Sequence, residues 1–219
     1  MQYHIQTAPI WEAYSGDGCP LCRIYENKEK RLVKSYLNEN VMDPHFRERS
    51  NSVGFCAEHV KMLYAGENKL GLALQLETRA AYLSDLVKNP PNDKKSAKRL
   101  AEKLTAHDGC VICNELDEFM PRYYMTVAQM FAAEPEFPHL FTSASHCYKH
   151  AVELLRAAEY AGKSLGAFAA EVLRALNADT ERTAKELRAF ADCFDHNSTA
   201  KPDKEAIPRA VLRLLGKKL

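Results

Sequence analysis

The chain has 219 residues, of which 46% are hydrophobic and 27% charged, and its 30 basic and 29 acidic residues give a net charge of +1. This composition excludes collagen-like and low-complexity chains, and it provides no general field that would attract nucleic acid or an anionic membrane. No apolar run approaches the roughly 18 residues that a membrane-spanning helix needs. The N-terminus lacks a basic segment followed by an apolar one, so we expect no signal peptide and a soluble, cytoplasmic protein.

Helical periodicity runs along almost the whole chain. Apolar residues spaced three and four apart predict helices over 20–40, 56–64 and 68–88, and a basic helical connector over 94–107. Further helices are predicted over 111–132, 147–161, 164–177, 179–194 and 204–216, with Pro121 kinking or splitting the first of these. Because no sustained alternation of β-branched and aromatic residues appears, we predict an all-α fold.

Cysteines form a repeated register. The pattern C-x2-C-x33-C-x2-H occurs twice, with the second copy 91 positions after the first. Such a match at fixed offsets indicates an internal duplication rather than a chance arrangement. The residues concerned are Cys19, Cys22, Cys56 and His59 in the first copy, and Cys110, Cys113, Cys147 and His150 in the second.

The duplication predicts a domain organisation. We expect a first helical metal-binding repeat at 1–90, the basic connector at 91–107, a second repeat at 108–200 and a basic C-terminal helix at 201–219. Copies of this length are too long for a solenoid array, so the two repeats are predicted to form helical units related by a pseudo-twofold axis.

Three thiolates and one imidazole make a soft, four-coordinate donor set, which suits a closed tetrahedral zinc site. Each CxxC and each CxxH is expected to open a helix, whose positive end favours the thiolate form. The sequence therefore predicts two zinc ions. The equal spacing within the copies favours ligation inside each copy, so that Cys22 shares an ion with His59 and Cys113 with His150; the exchanged pairing is the alternative.

The cysteines are also compatible with chemistry other than zinc binding. Disulfides are disfavoured in a reducing compartment, and a thioredoxin-like redox pair expects a βαβ context that is missing here. An iron–sulfur cluster held by three Cys and one His is chemically feasible, and it would make the protein an electron carrier or redox sensor. A closed site with four protein ligands leaves no position for substrate, so we lean towards a structural role over an enzyme.

Charge is distributed unevenly along the sequence. Residues 108–200 carry a net charge of −6, whereas residues 201–219 carry +4. We expect the basic tail to pack on an acidic neighbour. Binding of nucleic acid is disfavoured because the basic residues are not interleaved with aromatic ones. An adaptor role with a protein partner, or a homo-oligomer, stays open.

Three residues near the ligands are candidates for supporting roles. His146 is interpreted as a supporting or surface group, since it would compete with its neighbour Cys147 as a ligand. Glu26 and Asp117 follow the second cysteine of their repeats by four residues and could support a ligating histidine.

Two weaker features stand outside the repeat. Cys193 and His196 form a third CxxH without a CxxC partner, which we interpret as a buried thiol and an exposed histidine. Arg47, Glu77 and Arg79 could line a polar pocket in the first copy, where a substrate site would then lie.

The motifs resemble those of a known family. The segments Gly18-Cys-Pro-Leu-Cys22, Met42-Asp-Pro44, Gly54-Phe-Cys-Ala-Glu-His59 and Leu70-Gly-Leu-Ala-Leu74 are similar to an uncharacterised bacterial family with GCPLC and GFCxxH signatures. The second copy departs from it at Ser145-His146, which stands where the first copy has Gly-Phe. The resemblance implies a helical, metal-binding protein and no established reaction.

Overall fold

The computed structural model of the protein describes residues 7–106, 109–195 and 198–216. Within these ranges the chain is helical and contains no strand, which confirms the predicted all-α class. None of the helices described is both long enough and apolar enough to cross a membrane. The eleven α-helices of these ranges are α1 (Thr7–Tyr14), α2 (Pro20–Leu37), α3 (Pro44–Val53), α4 (Ala57–Ala65), α5 (Lys69–Leu86), α6 (Lys94–Ala106), α7 (Val111–Ala133), α8 (Phe137–Ser143), α9 (Tyr148–Arg156), α10 (Leu165–Asp192) and α11 (Ala206–Leu215).

The structure differs from the predicted helices in two ways. The short helices α1, α3 and α8 were not predicted, and each of them holds only seven to ten residues. Conversely, α10 is one helix where two were predicted, since no Gly or Pro breaks it near Asn177, whose side chain bonds Glu181 one turn on. Pro121 lies inside α7 and does not divide it.

The described residues form two compact units. The terminal unit is drawn from residues 1–26 and 119–219, and the central unit from residues 27–118. The boundary falls within α2 and within α7, so each of these helices begins in one unit and ends in the other. The predicted domains at 1–90, 91–107, 108–200 and 201–219 follow the sequence repeat instead and stay a prediction.

The terminal unit is built around a large apolar core. Twenty buried residues from α1, the start of α2, the end of α7, α8, α9, the 3-10 segment Ala158–Ser164 and α10 form one cluster. Phe141 lies at its centre, with ring centroids 5.3 Å from Phe131 and 5.2 Å from Phe168. Helix α10 packs on α9 and α11. The first turns of α2 and α9 are therefore fixed by extensive packing.

The central unit combines a smaller set of buried apolar residues with buried polar contacts. Tyr36 is fully buried and donates a hydrogen bond of 2.6 Å to Glu115 Oε1. Ser50 Oγ donates to Gln75 Oε1 over 2.6 Å, joining α3 to α5. Burial, the hydrogen bond to Glu115 and the Glu115 charge all raise the pKa of Tyr36, so its hydroxyl stays protonated and can donate. These contacts hold α3, α5 and α7 in fixed register around the second half of α2.

Candidate metal centres

All four cysteine motifs stand at helix starts, as predicted. The first cysteine of each motif is the residue just before the helix, and the second ligand follows three positions later, in the first turn. These are the two positions whose side chains meet in a capping box, because both lie over the free amides of the first turn. Cys56 and Cys147 have extended backbones and make no side-chain cap, so their sulfurs are available to a metal ion. The positive end of each helix stabilises thiolates there.

The first group, the terminal centre, comprises Cys19, Cys22, Cys147 and His150. His150 Nδ1 lies 3.4 Å from Cys19 Sγ, 3.3 Å from Cys22 Sγ and 3.2 Å from Cys147 Sγ. The sulfurs of Cys22 and Cys147 are 3.6 Å apart. Three of the four residues are buried, and Cys19 is partly exposed.

The second group, the central centre, comprises Cys56, His59, Cys110 and Cys113. His59 Nδ1 lies 3.2 Å from Cys56 Sγ, 3.2 Å from Cys110 Sγ and 3.4 Å from Cys113 Sγ. The sulfurs of Cys56 and Cys113 are 3.9 Å apart, and both of these residues are partly exposed. A backbone hydrogen bond of 3.0 Å from Val111 N to Gly54 O ties the two helix starts together.

The expected pairing of ligands within each sequence copy is wrong. Each CxxC instead groups with the CxxH of the other copy, so Cys22 meets His150 and Cys113 meets His59. The reason lies in where the four helices begin. The start of α2 lies in the terminal unit together with α9, and the start of α7 lies in the central unit together with α4. Each CxxC therefore shares a unit with the CxxH of the other copy. The equal spacing within the two copies follows from the sequence repeat itself, so it could not show which motifs come together in space.

The separations fit a single tetrahedral ion. Around zinc, bond lengths of about 2.3 Å to sulfur and about 2.05 Å to nitrogen put sulfurs about 3.8 Å apart and sulfur and nitrogen about 3.6 Å apart. The sulfur–sulfur separations of 3.6 and 3.9 Å bracket the first value, whereas the sulfur–nitrogen separations of 3.2 to 3.4 Å are somewhat shorter than the second. In both groups all four donor atoms lie within 4.8 Å of one another. The eight residues present are thus suited to holding two ions.

The electrostatics of the central centre favour one thiolate. Burial lowers the pKa of His59, but hydrogen bonding to Cys110 and the nearby sulfur charges outweigh it and raise the pKa to about 9. Burial raises the pKa of the Cys110 thiol, yet the hydrogen bond from His59 brings it down to about 6. Burial and the Cys110 charge raise the pKa of Cys113 to about 12. A cation would be needed to keep all three sulfurs ionised.

In the terminal centre, too, the pKa of one thiol is lowered and that of another is raised. Burial lowers the pKa of His150, but its hydrogen bonds with Cys147 and Cys19 raise it to about 9. Hydrogen bonds from Cys19 and Cys22 lower the pKa of Cys147 far below that of a free thiol. The hydrogen bond with Cys147 raises the pKa of Cys22 strongly. Each group therefore forms one thiolate–imidazolium pair and retains protons that a metal would displace.

A carboxylate supports the histidine of the central centre. His59 Nε2 lies 3.1 Å from Glu29 Oε1, on the side of the ring away from the sulfurs. Such a contact fixes the orientation of a ligating imidazole and presents its other nitrogen to the metal. Glu29 was not predicted, since nothing in the spacing separates it from the other acidic residues. The supporting roles predicted for Glu26 and Asp117 stay predictions.

His146 is buried and is not a surface group. It is 2% exposed, and its Nε2 lies 3.0 Å from the Tyr14 hydroxyl. Its ring packs against Phe141, with centroids 4.9 Å apart. Burial lowers the pKa of His146 to about 4, so the ring is neutral and serves as a core residue beside the terminal centre.

The two weaker features of the sequence contribute no residue to the two groups. Cys193 is partly exposed and its thiol donates to Ala189 O over 3.2 Å, while His196 lies outside the described residues. Arg47 lines an open cavity of about 620 Å³ in the central unit. Arg79 donates to the carbonyl oxygen of Asn51, whereas Glu77 is exposed on α5 and does not line that cavity.

Comparison with known proteins identifies a family without a function. Neither the curated proteins nor the solved structures contain a match to this chain. A family profile described as "Family of unknown function (DUF6062)" matches residues 1–218. Since this match spans nearly the whole sequence and agrees with the resemblance drawn from its cysteine motifs, the chain belongs to the DUF6062 family.

Proposed function

We propose that the protein is a structural metalloprotein that binds two zinc ions. Cys19, Cys22, Cys147 and His150 would hold one ion, and Cys56, His59, Cys110 and Cys113 the other. The observation that carries the proposal is the grouping of eight donor atoms into two sets, each within 4.8 Å and each drawn from two helix starts. Zinc in such a set supplies folding free energy, because the sites do not exist in the unfolded chain.

Compact geometry favours a single ion over a cluster. An iron–sulfur cluster places several irons and its own sulfides between the protein ligands, which therefore stand farther apart than ligands that share one metal. The sulfur–sulfur separations of 3.6 and 3.9 Å instead match one tetrahedral ion. Donor type alone would allow either, so the short distances are the observation that supports a mononuclear site.

Four protein donors also favour a structural role over a catalytic one. A catalytic zinc keeps a coordination position for water or substrate, whereas a site with three sulfurs and one imidazole is already filled. In the central centre, the Glu29 contact holds His59 in its ligating orientation. The residues of each set would thus bind one ion and so hold together two helix starts that are far apart in the sequence.

The reciprocal exchange supports a duplication of an ancestral dimer. In a twofold pair the same contact occurs twice, with the partners interchanged. Here the CxxC of the first copy groups with the CxxH of the second, and the CxxC of the second groups with the CxxH of the first. We infer that two copies, which once shared their sites across a symmetric interface, were joined through the segment 91–107.

The first experiment is elemental analysis of protein purified without oxygen. We expect two zinc ions per chain and a colourless solution. A brown sample containing iron and sulfide would support the cluster alternative, and a metal-free, folded protein would overturn the proposal. Iron bound without sulfide would keep the mononuclear geometry and overturn only the choice of metal.

Pairs of substitutions then test which residues share an ion. Cys19→Ser combined with Cys147→Ser damages one set only, so one zinc ion per chain should remain. Cys19→Ser combined with Cys56→Ser damages both sets, so both ions should be lost or strongly weakened. Ligation within each copy would give the opposite result, because Cys19 and Cys56 would then belong to one site.

A further inference from the structure

The C-terminal end of α11 lies directly on the sulfurs of the terminal centre. Gly216 follows the helix in a left-handed conformation, with φ of +68°. Its carbonyl oxygen lies 3.7 Å from Cys22 Sγ. A Cβ atom added at Gly216 would lie 3.0 Å from Cys147 Sγ and 3.6 Å from Cys22 Sγ. The backbone of Gly216 therefore lies so close to these two sulfurs that a residue with a side chain would be crowded there.

Helix α11 is anchored to α10 by charged side chains. Arg213 donates to Glu186 Oε2 over 2.9 Å and to Thr183 Oγ1 over 3.3 Å. Arg209 donates to the same Glu186 oxygen over 3.3 Å and also pairs with Asp203. Partial burial raises the pKa of Glu186, but hydrogen bonds from both arginines outweigh it and lower the pKa, so this carboxyl is ionised at neutral pH. The contacts place the end of α11 over the centre.

Apolar contacts reinforce the same position. Ala206 and Ala210 are buried, and α11 packs on both α9 and α10. Cys147 directly precedes α9 and His150 lies in its first turn, so the helix that covers the sulfurs packs on the helix that positions two residues of the group.

The two centres differ in how accessible their sulfurs are. In the terminal centre Cys22 and Cys147 are 7% and 2% exposed, and one cysteine, Cys19, is partly exposed. In the central centre Cys110 is equally buried, but Cys56 and Cys113 are both partly exposed. A chelator or an alkylating reagent must reach a sulfur, or the metal beside it, before the site can be dismantled.

We propose that Gly216 and helix α11 form a seal over the sulfurs of the terminal centre, so that metal exchange and thiol modification begin at the central centre. This inference rests on the proposed function, because it concerns the stability of two bound ions. It goes further in making the two sites unequal: the terminal centre is inert and the central centre exchangeable. The C-terminal helix becomes the element that controls access.

The test follows metal release and thiol labelling together in the zinc-loaded full chain. A colorimetric zinc chelator and iodoacetamide are added, and the labelled peptides are identified by mass spectrometry over time. Cys56 and Cys113 should be alkylated before Cys22 and Cys147, the two sulfurs that Gly216 covers. If Cys22 or Cys147 is labelled first, or both pairs at one rate, the seal is refuted.

Gly216→Ala is the decisive variant. Alanine is strained in the left-handed conformation, and its Cβ would press on Cys147, so labelling of the terminal cysteines should accelerate about fivefold or more. Gly162→Ala is the matched control: Gly162 also has positive φ, at +55°, but its added Cβ would meet nothing within 4 Å. The control should leave the rates at the terminal centre unchanged, which separates the seal from general backbone strain.

A second variant leaves the sulfurs untouched. Arg213→Met removes the hydrogen bonds to Glu186 and Thr183 and keeps most of the apolar stem, so it should also accelerate labelling of the terminal set. If neither this variant nor Gly216→Ala exceeds Gly162→Ala, the seal is refuted. The failures are distinguishable: a chain that binds no zinc refutes the proposed function, whereas two ions released at rates insensitive to these variants refute only the seal.

Discussion

The two units contain the same set of donor residues, but the packing around these residues differs. In the terminal unit, the ligands stand on helices that pack into a cluster of twenty buried apolar residues. In the central unit, the buried contacts include polar pairs such as Ser50 with Gln75 and Tyr36 with Glu115. Identical coordination can therefore contribute unequal shares of the stability of the units that carry it.

The small size of the central unit adds to this difference in packing. The central unit spans residues 27–118, a length at which a single core is modest, and one of its helices, α6, buries little of its surface. Net hydrogen bonds contribute only about 1 kcal/mol each, so polar pairs substitute poorly for apolar burial. We therefore expect the central unit to depend on its metal and the terminal unit to depend on it less.

Removing one ligand from each centre tests this expectation and should have the largest effect. A zinc site of this type contributes on the order of 10 kcal/mol of apparent binding free energy, comparable with the total stability of a domain. Cys110→Ser should therefore abolish amide exchange protection throughout the central unit. Cys22→Ser should lose the terminal ion but keep protection in α10, because the apolar cluster remains. Hydrogen exchange with mass spectrometry measures both.

Cys193→Ser supplies the control for these two variants. Its thiol donates only a weak hydrogen bond to Ala189 O within its own helix, so metal content and protection should stay as in the wild type, within about 0.5 kcal/mol. Equal unfolding of both units by Cys110→Ser and Cys22→Ser would show that the apolar cluster does not compensate for a lost ion.

A smaller effect is expected from the carboxylate behind His59. Glu29→Gln keeps the shape of the side chain but removes its charge, which weakens the orientation and basicity of the imidazole. Loss of such a supporting contact lowers metal affinity by about 10- to 100-fold. Competition titration against a chelator should show this loss at the central centre only, as assigned by which cysteines become reactive.

Glu67→Gln is the matched control for Glu29→Gln. Glu67 is an exposed carboxylate of the same unit, so its neutralisation should leave both affinities unchanged. If Glu29→Gln behaves like this control, the contact with His59 is not a supporting one. If it weakens the terminal centre as well, the two centres are coupled and cannot be treated as independent sites.

The sequence predicted eight candidate ligands but not how they group. The repeated C-x2-C and C-x2-H spacings point to the same eight residues that the structure gathers into two groups, and their binding of metal stays a prediction. Pairing depends instead on where whole helices lie in the fold. Cys22 stands 34 positions from Cys56 and 125 from Cys147, yet it meets Cys147. A local pattern carries no information about such long-range placement.

The same limit explains the supporting residues. The histidine contact of Glu29 and the covering of Cys22 and Cys147 by Gly216 both arise from helices that are distant in sequence. The burial of His146 likewise depends on Tyr14 and Phe141, which lie on other helices. The short helices α1 and α8, which contribute to the core of the terminal unit, were likewise not predicted from the sequence.

The smallest predicted effect concerns two segments that the sequence repeat aligns, Asp43-Pro44 and Glu134-Pro135. Asp43 caps α3, where its carboxylate accepts hydrogen bonds from His45 N over 2.9 Å and Phe46 N over 3.5 Å, with Pro44 in the first turn. In the second copy the helix begins two residues later, and Glu136 precedes α8 without a side-chain cap.

Asp43→Ala should therefore cost about 1 kcal/mol, and Glu136→Ala close to nothing. Hydrogen exchange of the amides in α3 and α8 measures both local stabilities. Equal losses in the two variants would mean that the aligned segments still work alike. The expected inequality would show that the two aligned segments differ in how they begin a helix, with the capped helix start in the unit whose apolar core is smaller.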